Sequence, residues 1–415
     1  MPKKTSLSRK IERSLPAELL KLVRELAGLA VRKKLPLYLV GGVVRDLLLG
    51  RPNFDIDLVV EGDAVGLVKT LAASTGARLT VHERFGTAKL RFADYALDVA
   101  TARAETYSRP GALPTVKPGS LGDDLFRRDF TVNAMAVRLW PEPSGELIDP
   151  YGGYEDLKAG LVRVLHERSF ADDATRMWRA VRYEQRLGFH MEPVTIRLLR
   201  RDLPMLGTIS GDRVRHELEM VLKEDYPEKM LARAWKLGVL GKVHPSLKGD
   251  EWLCRVFANA RRLADAQTLV SLRWALLTHR MDQHELEDLI AFLHPDRRLV
   301  KVLRDTNRLK AELKPLARAG VKRSRIYSVL NGCEHASLLA HLAAARSRGV
   351  RSSIELYLEK LRLVRPALSG RDLLEMGLPA GPQVQEMLGR LLEARLEGQV
   401  TSRAGEVRLV RRLLG

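Results

Sequence analysis

The amino-acid sequence predicts an α/β N-terminal head with a small mixed sheet, followed by all-α segments, so that the molecule is predominantly helical overall. Three observations predict this. Five short segments before residue 102 (LPLYLVGG, FDIDLVV, ARLTVHE, TAKLRF and YALDVAT) are β-branched or alternating and are broken by glycine and polar turns. Beyond about residue 150 such segments cease, and apolar residues recur at helical spacing between Gly and Pro breaks. Finally, 415 residues are too many for a single core, so two or more domains are expected.

In chain order, residues 12–33 read as a helix with a basic last turn, which suits the negative end of the helix dipole. The strands follow, interrupted by a helix at 63–75 after the acidic turn Glu61-Gly62-Asp63. Helices are then expected at 172–188, 194–203, 211–223, 227–237, 251–265, 268–279 and 283–293. Breaks at 311–320 (AELKPLARAG) and 366–370 (PALSG) subdivide the helical part, and no repeat of fixed period runs through it.

Charge narrows the partners. Seventy Lys and Arg against 51 Asp and Glu leave a net charge of +19. Such a surplus suits a polyanion, because each neutralised phosphate releases counterions; it does not distinguish one nucleic acid from another. No apolar run approaches a membrane span, and the basic start MPKKTSLSRK is not followed by the apolar stretch of a signal peptide. The two cysteines, Cys254 and Cys333, lack metal-ligand spacing. A cytoplasmic protein without disulfides, structural zinc or membrane contact is expected.

The chemistry centres on Asn53-Phe54-Asp55-Ile56-Asp57-Leu58. In a strand, residues i and i+2 share a face, so Asp55 and Asp57 project together while Phe54, Ile56 and Leu58 face a core. Two convergent carboxylates repel unless a cation sits between them, and magnesium takes a few carboxylates plus substrate phosphates. A bare Asp-x-Asp is common on solvent-facing strands, so its context matters. Just upstream, Gly41 and Gly42 end a strand and open a helix, where successive N–H groups can cradle an anion and Arg45 can reach a phosphate. Together these make a site for a nucleoside triphosphate and Mg2+. Asp98, on a later strand, is the candidate third carboxylate, with Glu105 as its competitor.

These residues lie in a longer pattern. LVGGVVRDLLLGRPNFDIDLVVEGDA resembles the first motif of the class II tRNA nucleotidyltransferase (CCA-adding enzyme) and bacterial poly(A) polymerase family. DDLFRRDFTVNAMAV (123–137), DPYGGYEDLKAGLVRVL (149–165) and FADDATRMWRAVRYEQRLGF (170–189) resemble the family's later motifs, in the family's order. The segment 368–400 is similar to the C-terminal part of many members, while the region between about 220 and 368 matches only in helical texture. The resemblance implies a polymerase-β-like catalytic head at 12–150, a helical neck at 151–220 with the base-selecting helix, a body at 221–310 and a tRNA-binding tail at 311–415. It also implies that Asp55 and Asp57 bind two magnesium ions, that Gly41, Gly42, Arg45 and Arg128 contact the triphosphate, and that Asp129 accepts from a ribose hydroxyl with support from Asn133. The apolar positions of RRDFTVNAMAV read as the buried side of an ordinary amphipathic helix.

Base selection is expected in Asp172-Asp173-Ala174-Thr175-Arg176, with Arg179 a turn further on. On a helix, Asp173 and Arg176 stand i, i+3 on one face, offering an acceptor beside a donor fork. Cytosine and adenine both present an amino donor beside a ring-nitrogen acceptor, whereas uracil and guanine present the reverse polarity. Many family members have Glu where this chain has Asp172 and Pro where it has Ala174, which bears on how Arg176 is oriented.

The implied reaction is attack of the tRNA 3′-hydroxyl on the α-phosphate of CTP or ATP, giving CCA. Addition of CC or A alone, or of a poly(A) tail, are the alternatives; the stretch 98–116 resembles both complete and A-adding members. A small-molecule nucleotidyltransferase is disfavoured by the long basic helical part, and an inactive RNA-binding protein by the intact Asp-x-Asp. Basic segments 322–325 (KRSR) and 346–351 (RSRGVR) are expected along tRNA phosphates, with the acceptor arm as partner. His335 and His341 read as packing or surface groups, and no His-Asp phosphohydrolase motif is present.

Overall fold

The computed structural model describes residues 7–83, 86–92, 95–109, 111–112, 114–318 and 320–414. The basic start of the chain (residues 1–6), Pro110 and Leu113 of the 98–116 stretch, and Ala319 of the break at 311–320 lie outside the described residues. Two compact units are present, one of residues 1–221 with 233–243 and the other of residues 222–232 with 244–415. The sheet and the first helical segment belong to the first unit, and the remaining helices to the second.

The chain opens with α1 (Leu7–Ser14) and α2 (Ala17–Lys33). The single helix expected over 12–33 is therefore divided, because Pro16 has no N–H to donate and disfavours helical backbone at the residue before it. The first-unit sheet has strand order β3-β4-β5-β2-β1-β8-β9. These strands are β1 (Leu37–Val40), β2 (Asp55–Val60), β3 (Arg78–His82), β4 (Thr87–Phe92), β5 (Tyr95–Thr101), β8 (Ala136–Trp140) and β9 (Leu147–Ile148). Between them lie α3 (Gly42–Leu49), α4 (Ala64–Thr75), α5 (Leu121–Phe126) and a separate hairpin of β6 (Arg103–Thr106) and β7 (Thr115–Pro118). β2 runs parallel to β5 and antiparallel to β1, so the sheet is mixed. Alternate side chains of β1, β2 and β8 (Tyr38, Val40, Val59 and Ala136) bury against Leu121 and Leu125 of α5, fixing that helix to one face.

Three local expectations are corrected. Phe54 precedes β2 and is 45% exposed, its ring edge-on to Tyr95, so only Ile56 and Leu58 enter the core. RRDFTVNAMAV is not a helix: a single 3-10 turn at Thr131–Asn133 leads into β8, which pairs with β1, so its apolar residues are buried as turn and strand. Beyond residue 150 the strands do not cease, since β10 (Leu161–Val162) and β11 (His190–Met191) form a short parallel pair. α6 (Gly153–Ala159) precedes β10, and α7 (Ser169–Asp172) and α8 (Thr175–Leu187) lie between the two strands.

Further helices follow at α9 (Pro193–Asp202), α10 (Gly211–Lys223) and α11 (Pro227–Leu237). In the second unit, helices at Glu251–Leu263, Ala266–Thr278 and Gln283–Leu293 begin with Asp side chains that accept from the third helical N–H. Near the end of the chain, Leu368, Leu373, Leu391 and Val410 form a cluster of their own. Among the described residues no helix is long and apolar enough to cross a membrane, and both cysteines are free.

Candidate active site

The sheet register lines up three charged residues. Asp57 on β2 stands opposite Asp98 on β5, which stands opposite Lys89 on β4. Asp55, two residues before Asp57, shares its face of β2 and is exposed where Asp57 is half-buried. Burial pushes the Asp57 carboxyl up to about 6; Arg128 and Lys89 oppose the shift, while the charges of Asp55 and Asp98 add to it. A carboxylate held this way by its neighbours suits a hard divalent cation, so Asp55 and Asp57 fit a magnesium ion. Asp98 already has a cation: the Lys89 ammonium donates to it at 2.6 Å. Among the described residues no set of three His, Cys, Asp or Glu is arranged to hold a metal. Glu105 is committed elsewhere, accepting from Arg103, Arg127 and the Tyr107 hydroxyl.

A cleft of about 360 Å³ opens over this row, lined by Asp57, Asp98, Arg103, Arg127 and Arg128 among others. Asp124 builds its cationic wall. Fully buried on α5, Asp124 accepts from Arg127 at 2.6 Å and from Arg128 at 2.8 Å. Despite the cost of burial, these two guanidinium groups hold it below the usual carboxylate range. Gly41 allows Arg128 to lie where it does. At φ +77°, a Cβ on Gly41 would stand 2.7 Å from Arg128 Nη1 and 3.7 Å from Asp57 Oδ2. The Gly41 N–H donates to the Met135 carbonyl at 3.3 Å, so this glycine serves close approach of a side chain rather than an amide cradle. Gly42 is the first residue of α3.

Arg45 is placed differently from the sequence expectation. It is buried, donating to Asp46 through Nε and Nη2 and to Asn133 Oδ1 at 2.7 Å. Asn133 in turn donates to Asp129 Oδ1 at 2.9 Å, and Arg179 donates to Asp129 Oδ2 at 2.8 Å. Both Asp129 oxygens are thus engaged inside the protein, where a ribose hydroxyl was expected. The Asp129 carboxyl is buried, but Arg179 and Asn133 hold it below the usual range. Tyr183 lies beneath three guanidinium groups, those of Arg45, Arg179 and Arg182, at 5.2–5.7 Å from its ring centroid.

The base-selecting segment is a junction rather than one helix. α7 ends at Asp172, the backbone of Asp173 is extended (φ −141°, ψ 100°), and α8 begins at Thr175. Asp173 and Arg176 therefore do not share a helix face by i, i+3 spacing. Asp173 Oδ1 accepts from the Thr175 N–H, the Thr175 hydroxyl and Arg213, at 3.0, 2.7 and 2.8 Å. These three bonds fall on one oxygen and leave Oδ2 outside them. Arg176 is buried and fixed at both ends of its fork, Nη1 to Ser169 Oγ at 2.8 Å and Nη2 to the Arg127 carbonyl at 2.6 Å. Asp172 pairs with the exposed Arg168 at 3.4 Å.

Asp124, Tyr183 and Arg213 escaped the sequence reading. Asp124 carried a signal, because a carboxylate three and four residues before two arginines is a helical pairing pattern. Arg213 lies 40 residues from Asp173, and no local spacing links them.

Residues 37–163 match the poly A polymerase head domain, and residues 188–250 match the family described as the probable RNA and SrmB-binding site of polymerase A. The A-adding tRNA nucleotidyltransferase of Geobacter sulfurreducens is 38% identical over 97% of this chain, which spans about half (48%) of that protein. The A-adding tRNA nucleotidyltransferase of Halalkalibacterium halodurans is 32% identical over 89% of this chain and 86% of its own length. The Thermotoga maritima CCA-adding enzyme, solved in complex with tRNA, superposes with a TM-score of 0.78 at 29% identity over 99% of both chains. The chain belongs to the tRNA nucleotidyltransferase and poly(A) polymerase family.

Proposed function

We propose that this protein extends the 3′ end of tRNA without a template, using CTP and ATP, and completes the CCA sequence. Asp173 and Arg176, each fixed separately by hydrogen bonds to Thr175 and Arg213 and to Ser169 and the Arg127 carbonyl, are the observation that supports this reading. Asp173 Oδ2 is the acceptor for the exocyclic amino group of cytosine or adenine. A guanidinium has five N–H donors, and those of Arg176 not used by Ser169 and Arg127 donate to the neighbouring ring nitrogen. Uracil and guanine would set a carbonyl against the carboxylate and an N–H against the guanidinium. A site built of buried polar groups rejects such a ligand strongly.

In the cleft, Arg127 and Arg128 bind the triphosphate, with Arg103 beside them. Asp55 and Asp57 would hold two magnesium ions, which supply charge stabilisation at the α-phosphate and lower the pKa of the attacking hydroxyl. The tRNA 3′ oxygen bonds to the α-phosphorus as the bond to the β,γ-pyrophosphate breaks. Arg45, Asn133, Asp129 and Arg179 act as a buried brace behind the nucleotide rather than as direct contacts. Gly41 gives the Arg128 guanidinium room beside Asp57, and Gly42 lies against that of Arg45. Arg323, Arg325, Arg346 and Arg348, exposed or half-exposed in the second unit, lie along the acceptor arm.

Addition of A alone is the second reading, favoured by the names of the Geobacter and Halalkalibacterium relatives. Incubating a tRNA transcript that lacks CCA with each labelled nucleotide in turn tests the base-reading claim. Incorporation from CTP, with none from UTP or GTP, supports it; incorporation from UTP at a comparable rate refutes it.

A further inference from the structure

Beside the base-reading residues lies an aromatic group with no part in the mechanism above. Phe126, the last residue of α5, is 49% exposed. Its ring stacks on the His166 imidazole with centroids 4.9 Å apart and planes 28° from parallel. The Tyr151 ring stands 6.1 Å away, tilted by 43°. A scattered surface phenylalanine is ordinary, but this one is held in a fixed orientation by two further rings. Its surroundings are those of the site. The next residue, Arg127, lines the cleft, and its carbonyl holds Arg176. His166 lies within the field of Arg176, Asp172 and Arg168, and burial with the Arg176 charge lowers its pKa, so the imidazole is neutral near pH 7. Arg168, exposed near this edge, is paired with Asp172 at 3.4 Å.

We propose that Phe126, supported by His166 and Tyr151, is a stacking platform for an unpaired base at the 3′ end of the RNA substrate. This deepens, and rests on, the reading of the site as an RNA-extending centre. An RNA base is favoured over the incoming nucleobase by exposure. Arg176, which reads the incoming base, is 4% exposed, whereas Phe126 presents an open face on which a strand can enter and leave. Stacking on an aromatic face is tolerant of sequence, as an enzyme that meets a different terminal base at each step requires.

The test is direct binding, without Mg2+ or nucleotide, of an acceptor-stem RNA carrying 2-aminopurine as its unpaired 3′-terminal base. Stacking quenches that fluorophore. The wild-type protein is expected to quench it. Phe126→Ala should abolish the quenching and raise the Kd about ten-fold, with a cooperative thermal transition retained as the check that the protein is still folded. Phe126→Tyr should restore both. Quenching by Phe126→Ala equal to wild type would overturn the proposal. So would an unchanged RNA Kd accompanied by a raised KM for CTP or ATP, which would assign the ring to the incoming base. Phe126-dependent quenching in a protein that incorporates no nucleotide would leave the platform standing and remove the transferase reading instead.

Discussion

Asp57 shares a strand face with Asp55 and faces Asp98 across the sheet, yet Asp98 is neutralised by Lys89 at 2.6 Å. The three carboxylates are therefore unequal, and their substitution should show it. Asp57→Asn is expected to reduce nucleotide incorporation more than about 100-fold and to remove calorimetric Mg2+ binding, whereas Asp98→Asn costs about 10–100-fold, the range of a supporting group. Equal losses from both variants would make Asp98 a ligand of the same rank. Arg176→Lys keeps the charge but loses the planar fork. It should lower discrimination of CTP over UTP at least about ten-fold, read as a ratio of kcat/KM values; unchanged discrimination would move base selection elsewhere. Asp55 and Asp57 were legible in the sequence because a strand period of two needs no distant information. Arg45 was not. Its direction is set by Asn133, 88 residues away, and by Asp46 beside it, and neither partner is visible in the spacing of a glycine pair before a helix.

Among the elements, the turn from β1 into α3 is the most constrained. Gly41→Ala would place a methyl against the Arg128 guanidinium and force a backbone conformation that costs about 1–3 kcal/mol. Weaker nucleotide binding is the expected result, seen as a KM for CTP raised by about ten-fold or more, with little effect on RNA affinity; a KM equal to wild type would show that Arg128 does not need this approach. Several helices were legible nearly residue by residue: 211–223, 227–237 and 283–293 form as their apolar period predicts. The junction at 173–174 was not, because its extended residue is held by Arg213 from α10 rather than by a local helix breaker.

In the second unit, His341 donates through Nε2 to the Thr306 carbonyl at 2.9 Å, and His279 stands 3.4 Å from its other nitrogen. Burial lowers both, His279 to about 3 and His341 to about 4. Folding thus keeps both rings neutral, and the stability they contribute is complete above pH about 6.5 and is lost as the pH falls toward those values. Urea unfolding of this unit at pH 5 should show a loss of about 2 kcal/mol or more relative to pH 7. His279→Phe should flatten that dependence; an identical pH profile in the variant would exclude the pair as its source. The sequence reading left His341 as a packing or surface group and could not include its partner, 62 residues away.

At the scale of the molecule, a net charge of +19 makes RNA binding an ionic-strength effect. Affinity for tRNA is expected to fall at least about 100-fold between about 50 and about 200 mM salt, while KM for CTP changes much less. A weak salt slope would confine phosphate contacts to the cleft. Head and helical remainder were legible from the change of period near residue 150, because burial of a face repeats along each element. How residues so distant in sequence meet in one cleft was legible only through resemblance.

The most direct measurement uses three tRNA transcripts, lacking CCA, ending in C and ending in CC, each incubated with Mg2+ and labelled CTP and ATP and resolved to single nucleotides. All three are expected to be extended to the same CCA terminus and no further. Addition of a single A to the CC-ending transcript alone would contradict complete CCA synthesis, and long A ladders on any RNA would contradict a site that reads both bases and stops.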